Sequence, residues 1–121
     1  MLNKMKKLKT YIIEGIKYFT LEKYERMALA DFVGILCGNI GEDSERKPYK
    51  ALIDSLTPEE MKQLSLCHDC LDDTETYKAV NRNNLKDDIK LLNKVLEWAW
   101  ERDLMDENWD LQDAYGKLQG K

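Results

Sequence analysis

The sequence predicts an all-α protein: a compact single-domain helical bundle of six to seven helices over residues 1–121, with no sheet. Three observations lead there. Apolar residues recur at three- and four-residue spacing along most of the chain, the period of helices with one buried stripe. Both prolines, Pro48 and Pro58, stand where helices would start. No run of alternating residues bounded by hairpin turns stands out, so no strand is assigned.

The first helix is expected over residues 2–19, where Met5, Leu8, Ile12, Ile16 and Phe19 form the stripe. Thr20 then caps a second helix, residues 21–40, whose apolar side chains fall on nearly every face, as in a helix surrounded by others. Residues 38–47 (GNIGEDSERK) combine two glycines with a charged run and read as a surface loop. Pro48 opens a short helix carrying Tyr49, Leu52, Ile53 and Leu56. At Thr57-Pro58-Glu59-Glu60, Thr57 and Glu60 can satisfy each other's backbone amides in a capping box, starting a helix that runs to about Leu71.

A weaker helical stretch carries Tyr77 and Val80, and residues 81–84 read as a turn with Asn84 as the next cap. The longest helix, residues 85–105, places Leu85, Ile89, Leu92, Leu96 and Ala99 on one face, with Leu91, Val95 and Trp98 beside it. Asp106 caps a last helix over residues 107–118 that buries Leu111, Ala114, Tyr115 and Leu118. The second helix and the longest one are expected at the centre.

A chain of 121 residues that is 43% hydrophobic suits one domain able to bury a core without disulfides or a metal. The 35% charged content comes with apolar residues throughout, which excludes wholesale disorder. The longest stretch poor in charge, residues 27–40, is interrupted by Asp31 and falls short of the ~20 residues of a membrane span. The basic start (Lys4, Lys6, Lys7, Lys9) leads into apolar residues broken by Glu14, Gly15 and Lys17, with no cleavage site, so retention in the cytoplasm is expected. There Cys37, Cys67 and Cys70 would stay reduced. The net charge of -4 conceals a basic head: residues 1–26 hold seven Lys/Arg against three Glu, and the remainder holds twelve basic against twenty acidic residues.

Cys67-His68-Asp69-Cys70 has the spacing of a zinc or redox pair, but only Cys37 and the adjacent His68 remain as further soft ligands. The pair also falls late in a helix, away from the N-terminal dipole that lowers a thiol pKa. Cys67 is therefore expected in the core, and a metal or redox module is kept as an alternative. His68, the one histidine, lies on the side of Met61, Leu64 and Leu71 and is expected to be partly buried and hydrogen-bonded, with no nucleophile set around it. Asp31 stands between Tyr24, Met27 and Ile35 on one face, where a buried carboxylate would need a lysine or tyrosine partner; a buried acid in a small pocket is the alternative. With no phosphate-binding loop, dinucleotide turn, zinc-protease or calcium motif, no enzyme, no cofactor, no catalytic residue and no metal site is assigned.

Two surface features remain. On the first helix Lys4, Lys7, Tyr11 and Tyr18 would form a basic, aromatic face fit for a polyanion, which makes a nucleic-acid-binding regulator the rival function. The C-terminal region gathers Glu97, Glu101, Asp103, Asp106, Glu107, Asp110 and Asp113 around Trp98, Trp100 and Trp109, offset by Arg102 alone. Trp98 and Trp100 fall near opposite margins of the apolar arc, so at least one is expected to be incompletely covered. Tryptophan anchors ringed by acid suit a protein interface, and clustered carboxylates steer a basic partner or imitate nucleic-acid phosphates. The function expected is thus a small, acidic, non-enzymatic regulator or inhibitor of the phage, mobile-element or immunity-protein kind. It would bind a basic protein, with no membrane role, through Trp98, Trp100, Glu101, Asp103, Asp106, Glu107, Trp109 and Asp110; a homo-oligomer is compatible with the sequence.

Overall fold

Residues 9–20 are dense in β-branched and aromatic side chains (Thr10, Tyr11, Ile12, Ile13, then Ile16, Tyr18, Phe19, Thr20), with Glu14-Gly15 between the two groups. That composition suits a pleated surface, and two short runs separated by two residues including glycine form a hairpin. In the computed structural model, which describes residues 9–13, 16–73, 76–78 and 85–119 with side chains over 19–72 and 85–119, β1 (Lys9–Ile13) and β2 (Ile16–Thr20) pair antiparallel, Tyr11 opposite Tyr18 and Ile13 opposite Ile16. A third strand, β3 (Thr76–Lys78), pairs with β2, Phe19 opposite Tyr77, giving the order β1-β2-β3.

The expected first helix and the absence of a sheet are corrected by this arrangement, and so is the helical reading around Tyr77. Apolar positions 12, 16 and 19 satisfy a helical period, but the residues between them favour extended backbone. Met5, Leu8, Val80 and the turn at 81–84 lie outside the described residues.

The remainder of the described chain is mostly helical, as the all-α expectation required in its coarser sense. Helix α1 (Lys23–Cys37) is opened not by Thr20 but by Glu22, whose backbone N–H donates to Glu25 Oε1 at 2.9 Å. It ends at Gly38, whose φ of 81° lies in the left-handed region, and Arg46 reaches back to donate to the last-turn carbonyls of Ile35 and Leu36. The expected loop is shorter than predicted, because α2 (Asp43–Arg46) starts inside it with a second Glu-based box, Glu42 N–H donating to Glu45 Oε1. A 3₁₀ turn (Lys47–Tyr49) containing Pro48 and α3 (Lys50–Ser55) continue α2 without a break.

Helix α4 (Pro58–Asp73) starts on the predicted capping box: Thr57 N–H donates to Glu60 Oε1 at 2.9 Å and Glu60 N–H to Thr57 Oγ1 at 3.0 Å. Helix α5 (Leu85–Glu101) stops four residues before the expected end, and α6 (Trp109–Leu118) is capped by Asn108, not Asp106, its Oδ1 accepting from Leu111 N–H at 3.1 Å. With residues 43–55 counted as one broken helix, the described helices number five, not six or seven.

Helix α1 is central, packed on α4 and α6, while α5 packs on α4 and α6. Leu29, Val33, Leu36, Leu64, Leu92, Val95, Leu96, Ala99 and Met105 fill the space between them, with Phe19 of β2 in the same core. The α1–α4 crossing is close at Gly34: a Cβ there would lie 2.7 Å from Ile40 Cγ1 and 2.8 Å from His68 Nε2. Among the described residues no helix is long and apolar enough to cross a membrane.

Candidate protein-binding surface

The end of α5 and the start of α6 form one corner of the molecule. Between them the chain turns through Arg102 to Asn108, with Leu104 N–H donating to Ala99 O and Asn108 N–H to Met105 O. Met105 is fully buried and its carbonyl accepts from Gln112 Nε2 at 2.9 Å, which anchors the connection from below. With that anchor inside, Asp103, Asp106 and Glu107 are left exposed, and Asp103 (φ 58°) and Glu107 (φ 66°) both hold left-handed backbone. Asp110 is exposed in the first turn of α6, and Glu101 is exposed beside Arg102, 3.8 Å from its guanidinium.

The three indoles differ. Trp109 is 71% exposed at the start of α6. Trp100 is 49% exposed, its ring 6.1 Å from that of Tyr115. Burial, with Glu97 and Glu101 nearby, raises the Tyr115 phenol pKa, so it stays neutral beside the acids. Trp98 is half-buried against the core, 6.4 Å from Tyr49, with the Arg102 guanidinium 4.2 Å above its ring. It faces a groove along α5 with Lys94 and Glu60, on a different side from Trp100. Trp100, Asp103, Asp106, Glu107, Trp109 and Asp110 are thus exposed along the end of α5, the connection and the start of α6, while Glu101 lines the α5 groove with Trp98, which is turned toward packing.

The reading from sequence missed a neighbouring face. Tyr24 (65% exposed), Met27 (43% exposed) and Asp31 of α1 line a groove of ≈ 330 Å³ whose other wall is Leu104, Asn108, Asp110 and Leu111. Asp31 is exposed, and among the described residues it has neither a lysine nor a tyrosine partner, so the expected buried pair is corrected. The signal was its shared face with Tyr24, Met27 and Ile35; what periodicity could not supply is that, among the described residues, no helix covers that face.

The remaining candidates settle into structure. Cys67 is buried, and Cys37 and Cys70 are half-buried. Burial raises the Cys37 pKa, which disfavours its thiolate. Among the described residues no three His, Cys, Asp or Glu side chains are placed to hold a metal ion. His68 is buried and its Nδ1 lies 3.2 Å from Asn39 Nδ2, while the same amide donates to Ser65 Oγ. Of the expected basic face, Lys4 and Lys7 lie outside the described residues, and Tyr11 and Tyr18 are cross-strand partners, not neighbours on a helix. Compared with known proteins, the chain matches no family model, no curated sequence and no solved structure.

Proposed function

We propose that the chain is a small, non-enzymatic regulator or inhibitor that binds a basic protein through the corner between α5 and α6. The observation that carries this reading is the exposure of Trp109 beside Asp110, with Asp103, Asp106 and Glu107 exposed on the anchored connection and Trp100 and Glu101 exposed at the end of α5. A large indole held in water contributes little to folding but much to an interface once a partner desolvates it. Carboxylates around it draw a basic partner and penalise an acidic one. Fixed carboxylates also imitate a phosphate backbone, so a nucleic-acid enzyme in the same cytoplasm is the fitting target, as for an inhibitor carried by a phage or mobile element. The whole chain serves as one domain in this reading, without cofactor or metal.

The test is affinity capture from lysate, with and without nuclease, with three baits: the wild type, the reversal E101K/D103K/D110K, and a control reversal of Glu59 and Asp72, exposed on α4. A protein retained at constant stoichiometry by wild type and control, and lost with the corner reversal, is the expected result. An unchanged catch with the corner reversal overturns the proposal. A catch that disappears with nuclease moves the function to nucleic acid.

A further inference from the structure

The groove between α1 and the start of α6 is small, walled by aromatic and aliphatic side chains and acidic on both sides. Tyr24, Met27 and Phe32 come from α1, Tyr49 from the 3₁₀ turn and Leu104 from the α5–α6 connection, with Asp31 and Asp110 on the opposing helices. Among the described residues neither carboxylate has a basic partner within 4.0 Å, and the Tyr24 ring already draws a cation, Lys23 Nζ lying 5.9 Å from its centroid. At ≈ 330 Å³ the space is at the lower end of ligand pockets, enough for a side chain and too small for a nucleotide cofactor.

We propose that this groove seats one arginine side chain of the basic partner; the proposal rests on the protein-binding reading of the adjacent corner. A long aliphatic stem packs on Met27 and Leu104, a planar cation stacks on tyrosine, and a guanidinium has enough N–H donors to reach two carboxylates from one position. Lysine offers a single compact ammonium that satisfies one carboxylate at a time. Asp110 therefore belongs to both surfaces, and a partner segment that fills the groove with its arginine brings its following residues against Trp109.

The test is an amide NMR titration of the full chain with Nα-acetyl-arginine amide, with the citrulline and lysine analogues as neutral and cationic controls. Saturable shifts centred on Tyr24, Asp31, Asn108 and Asp110 are expected, about ten-fold weaker with citrulline or in D31N/D110N, and retained in E101K/D103K. Circular dichroism of each variant checks that its helices remain. Equal shifts from the lysine analogue overturn the choice of arginine, and shifts spread over the surface or unchanged in D31N/D110N overturn the groove. A dimer in sedimentation that D31N/D110N dissociates also overturns it, in favour of a second copy of the chain. Failure of this titration leaves partner capture through Glu101, Asp103 and Trp109 standing, whereas loss of that capture with a positive titration removes the protein-binding reading and keeps the arginine site.

Discussion

Lys117 Nζ near the end of α6 donates to Glu25 Oε1 in the first turn of α1 at 2.6 Å, across 92 residues of chain, and both side chains are buried. The same oxygen accepts the Glu22 N–H, so one carboxylate closes the start of α1 and holds the end of α6. Glu25 Oε2 is buried with no hydrogen-bond partner among the described residues, which leaves the charge dependent on Lys117.

Removing one partner strands a buried charge, whereas replacing both with apolar groups removes the desolvation cost as well. K117A is expected to lose about 3–5 kcal/mol, and E25L/K117M markedly less than the sum of its single variants. Urea unfolding of the four members of the cycle measures this; additive losses would mean that the pair is not coupled.

Two glycines in helices should respond in opposite directions. At Gly34 an added methyl meets Ile40 and the buried His68 ring, so G34A should cost about 1–3 kcal/mol despite alanine's better helix propensity. At Gly116 in α6 a Cβ meets nothing within 4 Å, so G116A should gain about 0.5–1 kcal/mol. Thermal melts of both variants decide the matter, and a destabilised G116A would contradict this placement of α6.

The tryptophans separate folding from recognition. W109A should change stability by less than about 0.5 kcal/mol, since the ring is mostly in water already, and should abolish partner retention. W98A should lose about 2–4 kcal/mol, because Tyr49 and Arg102 pack against that indole. Acrylamide quenching of single-tryptophan variants should rank Trp109 above Trp100 and Trp98 last.

The pair between Lys94 and Glu60 contributes a pH-dependent term. The hydrogen bond from Lys94, at 2.7 Å, followed by that from the Thr57 amide, lowers the Glu60 pKa. A carboxyl that is more acidic when folded adds stability above its unfolded pKa and loses it as the pH falls through its folded one. Lys94 is half in solvent, so E60Q should cost only about 0.5–1 kcal/mol at neutral pH. That difference should vanish in strong acid and shrink in high salt. A difference that persists below the carboxylate range would show that the Glu60 charge is not its source.

Where local chemistry was specific, the sequence could be read to the residue. Thr57 and Glu60 cap α4 as their spacing requires, and His68 and Cys67 are buried on the stripe that periodicity assigns them. The N-terminal strands escaped because Ile12, Ile16 and Phe19 satisfy a helical period as well as an extended one. The β-branched neighbours favour the extended backbone in which β1 and β2 pair. Caps moved by two residues, from Thr20 to Glu22 and from Asp106 to Asn108, since several polar residues nearby can satisfy free amides and only packing selects one.

The acidic corner was legible as composition and the exposure of one indole as geometry. The groove was not, because it joins α1 to the start of α6, and nothing local records which faces of two distant helices are left without a neighbour. Asp31 shows the difficulty: its apolar companions implied burial, and the side chain is exposed.

The left-handed backbone at Asp103 and Glu107 sets side chain against main chain. Glycine would adopt either conformation freely, and for glutamate in particular it should recover about 1 kcal/mol. Each replacement would also delete a negative charge from the connection. Selection for heat resistance alone would accordingly drift toward a relaxed, less acidic corner, and selection for partner retention toward a strained, charged one. A library varied at these two positions and sorted separately for each property would measure what the surface contributes beyond folding.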